Sequence, residues 1–514
     1  MWYWYFKLFN NIKSVHEAKD LARMELESLF GNVEPIFNFA DKLCEEPFCR
    51  FMNLPERIQD YIIHELPYGK IQGYFGKSEE AKNIGRLVKR LAYTREIYLI
   101  VTSNKSPEDL AKSLFPDAVV GKNFHYFKSE NYICFRAITH QYFLEKSEYI
   151  SKLSRNEQEV ERNVEILFSY LINEQYRIPA SSTLSIGKRL QDYFTIREET
   201  SLYLTHYFHP YKGKFHPKMA RALLNYICPQ DRGIVLDNFA GSGTLLVEAT
   251  LMGLDSKGIE INPLSVLMAN VKCKSFLIDL TQLKKEINNY LERVKDSLQD
   301  FQSSRYGQLT FYQKNNIDFD RIKQKSIFLS SRLKNELRNK DEIIPQVLIS
   351  KELLSGVKDK LIKDFLLLAL SGTISDVSRR TGEQFLEVFQ NRVKDLYLRL
   401  ILFRKLNEVL KIDPGVSETY VGDARNTERF IMSDKIDGIV NSPPYSVALD
   451  YIKNDFPQLV LLELTDSLDK LDEDMIGNPK VNYERRILFN KVKENESNPL
   501  NISKTAKEIV NTLL

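Results

Sequence analysis

The chain has few cysteines and no long hydrophobic run. Its five cysteines show no repeating spacing among 514 residues, which argues against a disulfide framework and favours free thiols in a reducing compartment. No histidine or second cysteine pair completes a zinc site with Cys44 and Cys49, so no metal site is predicted. No apolar stretch approaches the roughly 20 residues of a membrane span, and the aromatic segment Met1–Phe6 carries no basic leader. These absences predict a cytoplasmic protein with neither a membrane segment nor a signal peptide.

The chain also lacks an excess of charge of either sign. Its 72 lysines and arginines nearly balance 69 aspartates and glutamates, which leaves a net charge of +3. Such a balance neither requires nor excludes a nucleic-acid partner, because a protein can contact phosphates along one cleft only. A chain of 514 residues exceeds the size of one ordinary hydrophobic core, so we expect two or three domains.

Short strand and helix patterns alternate through the first third of the chain. This alternation predicts an α+β module over residues 1–175, built from one or two ferredoxin-like units. The predicted strands are Trp2–Phe9, Val33–Phe39, Glu96–Thr102 and Asn131–Thr139, and the predicted helices are His16–Phe30, Glu79–Leu91 and Pro107–Phe115.

Basic residues are concentrated on and just after the second of these predicted helices. They form either a phosphate-facing surface for nucleic acid or an ordinary solvated helix face. The residues are Lys82, Arg86, Lys89, Arg90 and Arg95.

A glycine-containing turn follows a short apolar strand near the middle of the chain. The segment Gly233–Thr244 begins with Ile234, Val235 and Leu236 and continues as Asp-Asn-Phe-Ala-Gly-Ser-Gly-Thr. A turn of this kind lets a nucleotide-like ligand lie against bare backbone at the carboxyl end of a strand. The pattern therefore predicts a binding site for such a ligand.

Two acids stand at the ends of later predicted strands. Glu260, in the strand Lys257–Asn262, comes 23 positions after Asp237 and suits the hydroxyls of a ribose. Asp423 follows the strand-like segment beginning at Tyr420 and is placed to accept a hydrogen bond from an adenine amino group. Both acids are expected beside the glycine turn.

A second apolar strand, in the segment Asp437–Tyr445, ends in Ser-Pro-Pro-Tyr. Its two prolines fix the backbone and remove two N–H donors. Carbonyl oxygens and an aromatic ring are then expected to face one cleft. Together with the glycine-containing turn in Gly233–Thr244, this rigid segment predicts methyl transfer to a flat amine.

The positions of these motifs predict how the chain is organised. A connection of roughly 140 residues between the second and third strands is rarely passive, so we expect a recognition or lid element there. Hydroxyls and arginines in its segment Ser371–Thr381 suit phosphate contact, and an ordinary helix-capping turn is the alternative. The predicted parts are the α+β module 1–175, a linker 176–208, half of an α/β domain 209–276, the helical insertion 277–415 and the second half 416–514.

These motifs resemble the S-adenosylmethionine-dependent amino-methyltransferases of nucleic acid bases. The segment Asp237–Thr244 is similar to their cofactor loop, Asp-Pro-Phe-X-Gly-Ser-Gly-Thr, with Asn238 in place of the proline. Gly258–Pro263 resembles their ribose-binding strand, and Phe208–Pro217 resembles the segment that closes over methionine. The resemblance implies an α/β fold with a Rossmann-like class I methyltransferase domain and S-adenosyl-L-methionine as cofactor. The implied cofactor-binding residues are Asp237, Phe239, Ala240, Gly241, Gly243, Thr244, Glu260, Asp423 and Phe215.

The segment Asn441–Tyr445 resembles the catalytic segment, and its serine form is typical of cytosine-N4 DNA enzymes. Those enzymes usually carry threonine at the position of Asn441. The resemblance implies that the Ser442 side chain and the Pro443 carbonyl accept hydrogen bonds from the amine, while Tyr445 stacks on the base. A base in a duplex must be flipped to reach such a pocket. The implied catalytic residues are Asn441, Ser442, Pro443, Pro444 and Tyr445.

The N-terminal region resembles the front module of archaeal-type tRNA guanine-N2 methyltransferases. The similar segments are Ala22–Gly31 and Val88–Thr94, and Phe215–Leu223 precedes the cofactor loop as in those enzymes. Their catalytic segment normally has aspartate where Asn441 stands. The first hypothesis is cytosine-N4 methylation of DNA, and the second is guanine-N2 methylation of tRNA. A third is an inactive or partner-dependent nucleic-acid-binding subunit.

The segment after Asn441 does not provide the three further strands that the family's sheet usually needs. The 73 residues that follow have helical and polar patterns, over Asp455–Leu468, Tyr483–Val492 and Ile502–Leu514. An unfinished sheet exposes an edge strand, which is a liability for a soluble protein. We therefore expect either a truncated chain or a second polypeptide that completes the sheet.

Overall fold

The fold is that of a computed structural model of the full chain. All structural statements concern the residues that the structure describes. These are residues 1–9, 15–37, 46, 49, 72–114, 124–128, 133–173, 202–305, 315–333, 337, 339–378, 384–431, 435–443, 451–465, 467, 468 and 471.

The described N-terminal residues form a six-stranded antiparallel sheet with helices. The strand order is β2-β3-β1-β4-β6-β5, and every neighbouring pair is antiparallel. The strands are Trp2–Leu8 (β1), Val33–Ile36 (β2), Gly73–Ser78 (β3), Thr94–Val101 (β4), Phe124–Lys128 (β5) and Ile133–Ile138 (β6). The helices are Val15–Leu29 (α1), Ile84–Arg90 (α2), Pro107–Leu114 (α3), His140–Leu153 (α4) and Glu157–Asn173 (α5).

Among the described residues, the first six elements follow the order β-α-β-β-α-β, with strands arranged β2-β3-β1-β4. This is the ferredoxin-like arrangement that the alternating sequence pattern predicts. Side chains alternate across the strand β1, so Trp4, Phe6 and Leu8 share one face. These three side chains are buried with Ala22 and Leu26 of α1 in one hydrophobic core. Strands β5 and β6 extend the sheet beyond this unit.

Polar contacts join the N-terminal sheet to the rest of the chain. The buried Glu25 carboxylate accepts hydrogen bonds from the backbone N–H of Ala92 and Tyr93 and from Asn225 Nδ2, each at 2.9 Å. The Arg90 guanidinium donates to Asn225 Oδ1 at 2.9 Å and to the Cys228 carbonyl at 2.6 Å. Arg90 is therefore a buried link within the protein, and the prediction that it lies on a phosphate-facing or solvated surface is wrong.

Arg95, from the same predicted basic surface, is also buried. It lies on strand β4 and its Nε donates to Glu96 Oε1 at 3.0 Å. The helix Ile84–Arg90 begins later than predicted, after Asn83, whose side chain accepts a hydrogen bond from the Arg86 N–H. This cap satisfies a backbone donor that the helix leaves unpaired at its start.

A four-stranded parallel sheet follows in the chain. Its order is β10-β7-β8-β9, and all three pairings are parallel. Because parallel strands share one direction, their carboxyl ends meet at the same edge of the sheet. The strands are Ile234–Asp237 (β7), Asp255–Glu260 (β8), Ser417–Val421 (β9) and Gly438–Ile439 (β10).

Helices surround this sheet and occupy most of the chain between β8 and β9. The helices after the N-terminal sheet are Pro217–Ile227 (α6), Thr244–Met252 (α7), Pro263–Lys274 (α8), Leu280–Arg305 (α9), Phe319–Arg332 (α10), Lys340–Leu353 (α11), Lys360–Val377 (α12), Phe385–Leu410 (α13) and Tyr451–Leu461 (α14). Short 3₁₀ turns lie at Leu204–Tyr207, Ser275–Leu277, Leu354–Gly356 and Ala424–Arg429. None of the helices in the described ranges is long and apolar enough to cross a membrane.

The cysteines among the described residues are free thiols. Cys134, Cys228 and Cys273 are buried, and Cys49 is partly exposed. Burial raises the pKa of the Cys273 thiol to about 11, which keeps it protonated and poorly nucleophilic.

The last residues of the predicted linker 176–208 are packed in the core. Tyr203 and His206 are buried, and both bond to Glu248 Oε1 of helix α7, at 2.7 and 2.8 Å. Arg221 holds the other oxygen of the same carboxylate at 2.7 Å. A linker is therefore the wrong description of residues 202–208, because their polar side chains find partners inside the protein. The earlier part of that prediction lies outside the described residues.

The hydroxyls expected to contact phosphate in Ser371–Thr381 point into the protein instead. Ser371 and Thr373 are fully buried within helix α12. Ser371 Oγ lies 2.9 Å from His209 Nε2, and Thr373 Oγ1 donates to the Ala369 carbonyl at 2.9 Å. The prediction of phosphate contact is wrong for these two residues, and residues 379–381 lie outside the described part.

Candidate active site

One cavity lies at the carboxyl ends of strands β7, β8 and β9. Its empty space, with the open mouth counted in, is about 910 Å³. Five segments of the sequence meet there, and four of them follow strands of the parallel sheet, whose carboxyl ends share one edge. The lining residues are Tyr211, Gly213, Lys214, Phe215, Asp237, Asn238, Phe239, Ala240, Gly241, Ser242, Thr244, Leu245, Glu260, Ile261, Asn262, Gly422, Asp423, Ala424 and Ser442.

Gly241 and Gly243, in the turn after β7, have different structural roles. Gly241 has a φ of +49° and lines the cavity, and a Cβ built on it would make only ordinary van der Waals contact, 3.7 Å from the Tyr211 hydroxyl oxygen. Gly243 has a φ of +78°, and its Cβ would lie 2.7 Å from Ala269 Cβ on helix α8. Gly241 therefore leaves backbone open to the cavity. Gly243, which does not line the cavity, permits close packing of two helices.

Replacing Gly243 with alanine should destabilise the protein more than the same change at Gly241. Both variants put a side chain on a left-handed residue, at a cost of about 1 kcal/mol. Only Gly243→Ala also forces a methyl group into Ala269, which adds about 1–3 kcal/mol. Thermal midpoints of the two variants without added ligand measure the difference, and equal midpoints would contradict the packing role of Gly243.

Two carboxyl groups, those of Asp237 and Glu260, line the cavity. Glu260 Oε2 accepts a hydrogen bond from the Gly241 N–H at 2.8 Å, and its Oε1 accepts one from the Asn262 N–H at 2.9 Å. Asp237 Oδ1 accepts a hydrogen bond from the Phe239 N–H at 3.1 Å.

Burial raises the pKa of Asp237 to about 7, with a further contribution from nearby Glu260. Burial raises the pKa of Glu260 as well, against the opposing effect of its hydrogen bonds. Such acceptors suit hydroxyl or amino groups of a ligand.

One cation, Lys214, lines the cavity among the described residues. Its Nζ donates to the carbonyls of His206 and His209, at 2.7 and 2.9 Å. Burial lowers the pKa of Lys214 to about 8, because a low-dielectric site disfavours the ammonium form. His209 itself is buried behind the cavity and bonds to Ser371, so it does not face a ligand.

Asp423 lines the cavity where strand β9 ends. Its carboxylate accepts hydrogen bonds from the Arg425 backbone N–H at 2.9 Å and from Arg425 Nε at 2.8 Å. Partial burial raises its pKa, but the side-chain and backbone hydrogen bonds from Arg425 outweigh this effect and lower the pKa below its ordinary value. Asp423 is therefore an ionised acceptor at neutral pH, with one partner already in place.

The segment after β10 reaches the same cavity. The Val440 N–H donates to the Leu236 carbonyl at 3.0 Å, and Asn441 Nδ2 donates to Asn238 Oδ1 at 2.7 Å. Ser442 lines the cavity and is half-buried, whereas Pro443 is exposed. The structure thus brings Asn441 and Ser442, the first residues of the acceptor segment (Asn441–Tyr445), to the cofactor turn (Asp237–Thr244). Pro444 and Tyr445 lie outside the described residues.

Tyr211 and Asn262 are among the lining residues that were not predicted as site residues from the sequence. The Asn262 side chain caps helix α8 by accepting a hydrogen bond from the Leu264 N–H at 3.0 Å. Its Nδ2 donates to Asp455 Oδ2 of helix α14 at 2.9 Å. An asparagine directly before a proline is a recognisable helix-start signal, so Asn262 could have been predicted as a cap. Its contact with Asp455 could not have been predicted, because the two residues are 193 positions apart in the sequence.

The cavity brings the carboxyl groups of Asp237, Glu260 and Asp423 together with Ser442 at one edge of a parallel sheet. Residues 70–271 match the model of a family described as DNA methylase. The type II methyltransferase M.MvaI of Kocuria varians is 24% identical over 359 residues, which span 64% of this chain and 72% of that protein. The type II methyltransferase M.MjaII of Methanocaldococcus jannaschii is 26% identical over 348 residues, or 53% of this chain and 64% of that protein.

A shorter match involves the tRNA (guanine(10)-N2)-dimethyltransferase of Methanocaldococcus jannaschii. It is 39% identical over 74 residues, which span 14% of this chain and 20% of that protein. The broader matches confirm the recognition of a DNA amino-methyltransferase from the sequence motifs, and the protein is a methyltransferase of mixed α/β fold. The likeness to the tRNA enzyme is restricted to the shorter match.

Proposed function

We propose that the chain transfers a methyl group from S-adenosyl-L-methionine to the exocyclic N4 amine of cytosine in DNA. The observation that carries this proposal is the shared cavity of the turn Asp237–Thr244 and the acceptor residue Ser442. The serine form of the acceptor segment favours cytosine N4. The similarity to two type II methyltransferases supports DNA as the nucleic acid.

The residues of the cavity fit this cofactor. Glu260 and Asp237 offer carboxylate oxygens to ribose hydroxyls, and Asp423 offers them to the adenine amine. Gly241 leaves room for a ligand against the backbone. Lys214 is the cation available for a carboxylate at the other end of the ligand. The bound cofactor would supply an electrophilic methyl group on a sulfonium centre; transfer would break the S–CH₃ bond and form the N–CH₃ bond, with S-adenosyl-L-homocysteine leaving and the amine losing one proton to solvent.

The acceptor segment would make the base amine a better nucleophile. An exocyclic amine is a weak nucleophile because its lone pair is delocalised into the ring. The Ser442 hydroxyl and the Pro443 carbonyl would accept its hydrogen bonds, which orients the lone pair and raises electron density on nitrogen. Pro443 has no N–H that could compete as a donor. Stacking of the base on Tyr445 remains a prediction.

We further propose that the four-stranded sheet is the Rossmann-like class I core, built from 209–276 and 416–514. Residues 277–415 would then be a helical insertion within it. The N-terminal module would contact nucleic acid, and its basic residues Lys82 and Lys89 are candidates for that contact. The comparisons do not support a second polypeptide that completes the sheet, and the proposal does not include one.

Labelled S-adenosyl-L-methionine, incubated with the protein and either genomic DNA or bulk tRNA, tests the proposal. We expect label in DNA and none in tRNA. Binding of the cofactor, measured separately by calorimetry, shows whether the cavity is used. Binding without transfer to either nucleic acid would contradict the proposed reaction and favour a nucleic-acid-binding subunit.

Guanine-N2 methylation of tRNA is a second candidate, favoured by the 39% identity over 74 residues to a tRNA dimethyltransferase. That identity is higher than for the longer matches, but it covers 20% of the tRNA enzyme. Label that enters tRNA and not DNA would support this candidate.

Cofactor affinity should fall as pH rises through about 8. Burial lowers the pKa of Lys214 to about 8, so the ammonium that would pair with the cofactor carboxylate is lost above that pH. Calorimetric dissociation constants between pH 6.5 and 9.5 measure the effect, with Lys214→Met expected to remove this pH dependence. Lys212→Met is a suitable control, because Lys212 is exposed and bonds to Asn454. A wild-type affinity that is constant across this range would contradict the assignment.

A further inference from the structure

Two asparagines that depart from the resembled sequence patterns meet in the structure. Asn238 stands where the cofactor loop usually has proline, and Asn441 stands where the acceptor segment usually has threonine or aspartate. Asn441 Nδ2 donates to Asn238 Oδ1 at 2.7 Å, across 203 residues of sequence. Both side chains are partly buried, and Asn238 lines the cavity.

This bond continues the ladder between strands β7 and β10. The Asp437 N–H donates to the Ile234 carbonyl at 2.8 Å, and the Val440 N–H donates to the Leu236 carbonyl at 3.0 Å. Asn441 comes one residue after Val440 and Asn238 comes two residues after Leu236, and their contact is between side chains. Two residues after Asn441 stands Pro443, which has no N–H to offer. The amide pair thus joins the cofactor turn to the acceptor segment just beyond the backbone hydrogen bond between Val440 and Leu236.

We infer that Asn238 and Asn441 are a positioning pair that sets the distance between the cofactor turn and Ser442. This inference rests on the proposed function, and it assigns Asn441 a contact with the turn in place of a contact with the base. Proline at 238 could neither accept nor donate such a bond. Asn238 and Asn441 therefore compensate each other. The turn loses the rigidity of proline at position 238 and gains a hydrogen bond to the acceptor segment.

A double-mutant cycle tests the pair. Asn238→Ala and Asn441→Ala should each lower kcat about tenfold, because loss of the bond lets Ser442 drift from its position. The double variant should also lose about tenfold, since either change already breaks the bond. Cofactor affinity should change by less than about threefold. Additive losses of about 100-fold, or no loss in either single variant, would overturn the inference.

Acidic variants add a second readout, the pH dependence of activity, which general damage to the fold would not change. Asn238→Asp and Asn441→Asp should each keep most of the activity, because the remaining amide can donate to a carboxylate. The variant carrying both changes places two carboxylates at hydrogen-bonding distance. Its activity should be low at pH 8 and recover as pH falls and one carboxylate takes up a proton. An N441D variant as inactive as the double variant at every pH would indicate direct base contact instead.

Asn270→Ala is the matched control. Its Nδ2 donates to the Thr419 carbonyl at 3.0 Å within the same domain, and it does not line the cavity. This variant should lower the thermal midpoint without changing kcat or the pH profile. Failure of the wild-type protein to methylate DNA or tRNA would reject the proposed function. An active wild-type protein with additive single variants would reject the positioning pair alone.

Discussion

Ser442→Ala should lower the rate of methyl transfer to DNA by about 100-fold while cofactor affinity stays within about twofold. Ser442 lines the cavity at the end of the acceptor segment, where its hydroxyl is expected to accept a hydrogen bond from the base amine. That bond strengthens as positive charge develops on nitrogen, so its loss affects the transition state more than binding. Single-turnover rates with saturating cofactor measure the effect directly.

Ser355→Ala serves as the control for this prediction. The Ser355 hydroxyl is exposed and donates to the Glu352 carbonyl at 2.7 Å within the helical part of the chain. We expect the control to transfer methyl groups at the wild-type rate. A Ser442→Ala variant that transfers equally fast would remove Ser442 from the reaction. A variant that loses cofactor affinity instead would make Ser442 a cofactor contact.

Glu260→Gln should weaken cofactor binding by about 30-fold or more, which corresponds to ~2 kcal/mol. The carboxylate accepts hydrogen bonds from the backbone N–H groups of both Gly241 and Asn262 and also faces the cavity. Glutamine has one acceptor oxygen and an NH₂ group, so one backbone N–H would meet a donor instead of an acceptor. The turn would distort, and a ligand hydroxyl would lose its partner. Calorimetric titration of the variant with S-adenosyl-L-methionine gives the dissociation constant.

Glu418→Gln is the corresponding control on the neighbouring strand β9. The Glu418 carboxylate pairs with Lys257 at 2.6 Å, away from the cavity. This control should bind the cofactor within about twofold of wild type, because surface ion pairs contribute little. An unchanged dissociation constant in Glu260→Gln would show that the cofactor binds elsewhere.

The cofactor turn could be predicted from the sequence because its signals are local. A run of three apolar residues, an aspartate and two closely spaced glycines together indicate a strand, a turn and a helix start. The structure has this order, with β7 at Ile234–Asp237 and α7 at Thr244–Met252. The different tasks of Gly241 and Gly243 were not predictable, since they depend on the distance from helix α8.

Strand β3 was missed because its sequence does not look like a strand. Gly73–Ser78 contains Gly73 and Gly76, which weaken a strand pattern. A Cβ on Gly73 would lie 2.3 Å from the Phe6 carbonyl oxygen, and one on Gly76 would lie 2.4 Å from the Phe30 ring. These glycines permit close contact with distant residues. Their role is set by packing, which a local pattern does not record.

The role predicted for Arg90 failed for a similar reason. A basic residue on a short helix suggests a surface, and the partners of Arg90 lie in the loop around Cys228, 138 residues away. The bond between Asn238 and Asn441 also joins residues far apart in sequence. Sequence motifs indicated which segments carry the chemistry. The links that hold those segments together appear only in the folded chain.

The identity of the methylated nucleoside is the most direct test of the proposed reaction. DNA incubated with the protein and S-adenosyl-L-methionine would be digested to nucleosides and separated by liquid chromatography with mass detection. We expect N4-methylcytosine, formed about 100-fold more slowly by the Ser442→Ala variant. N6-methyladenine in DNA, or N2-methylguanine in tRNA without methylated DNA, would contradict it.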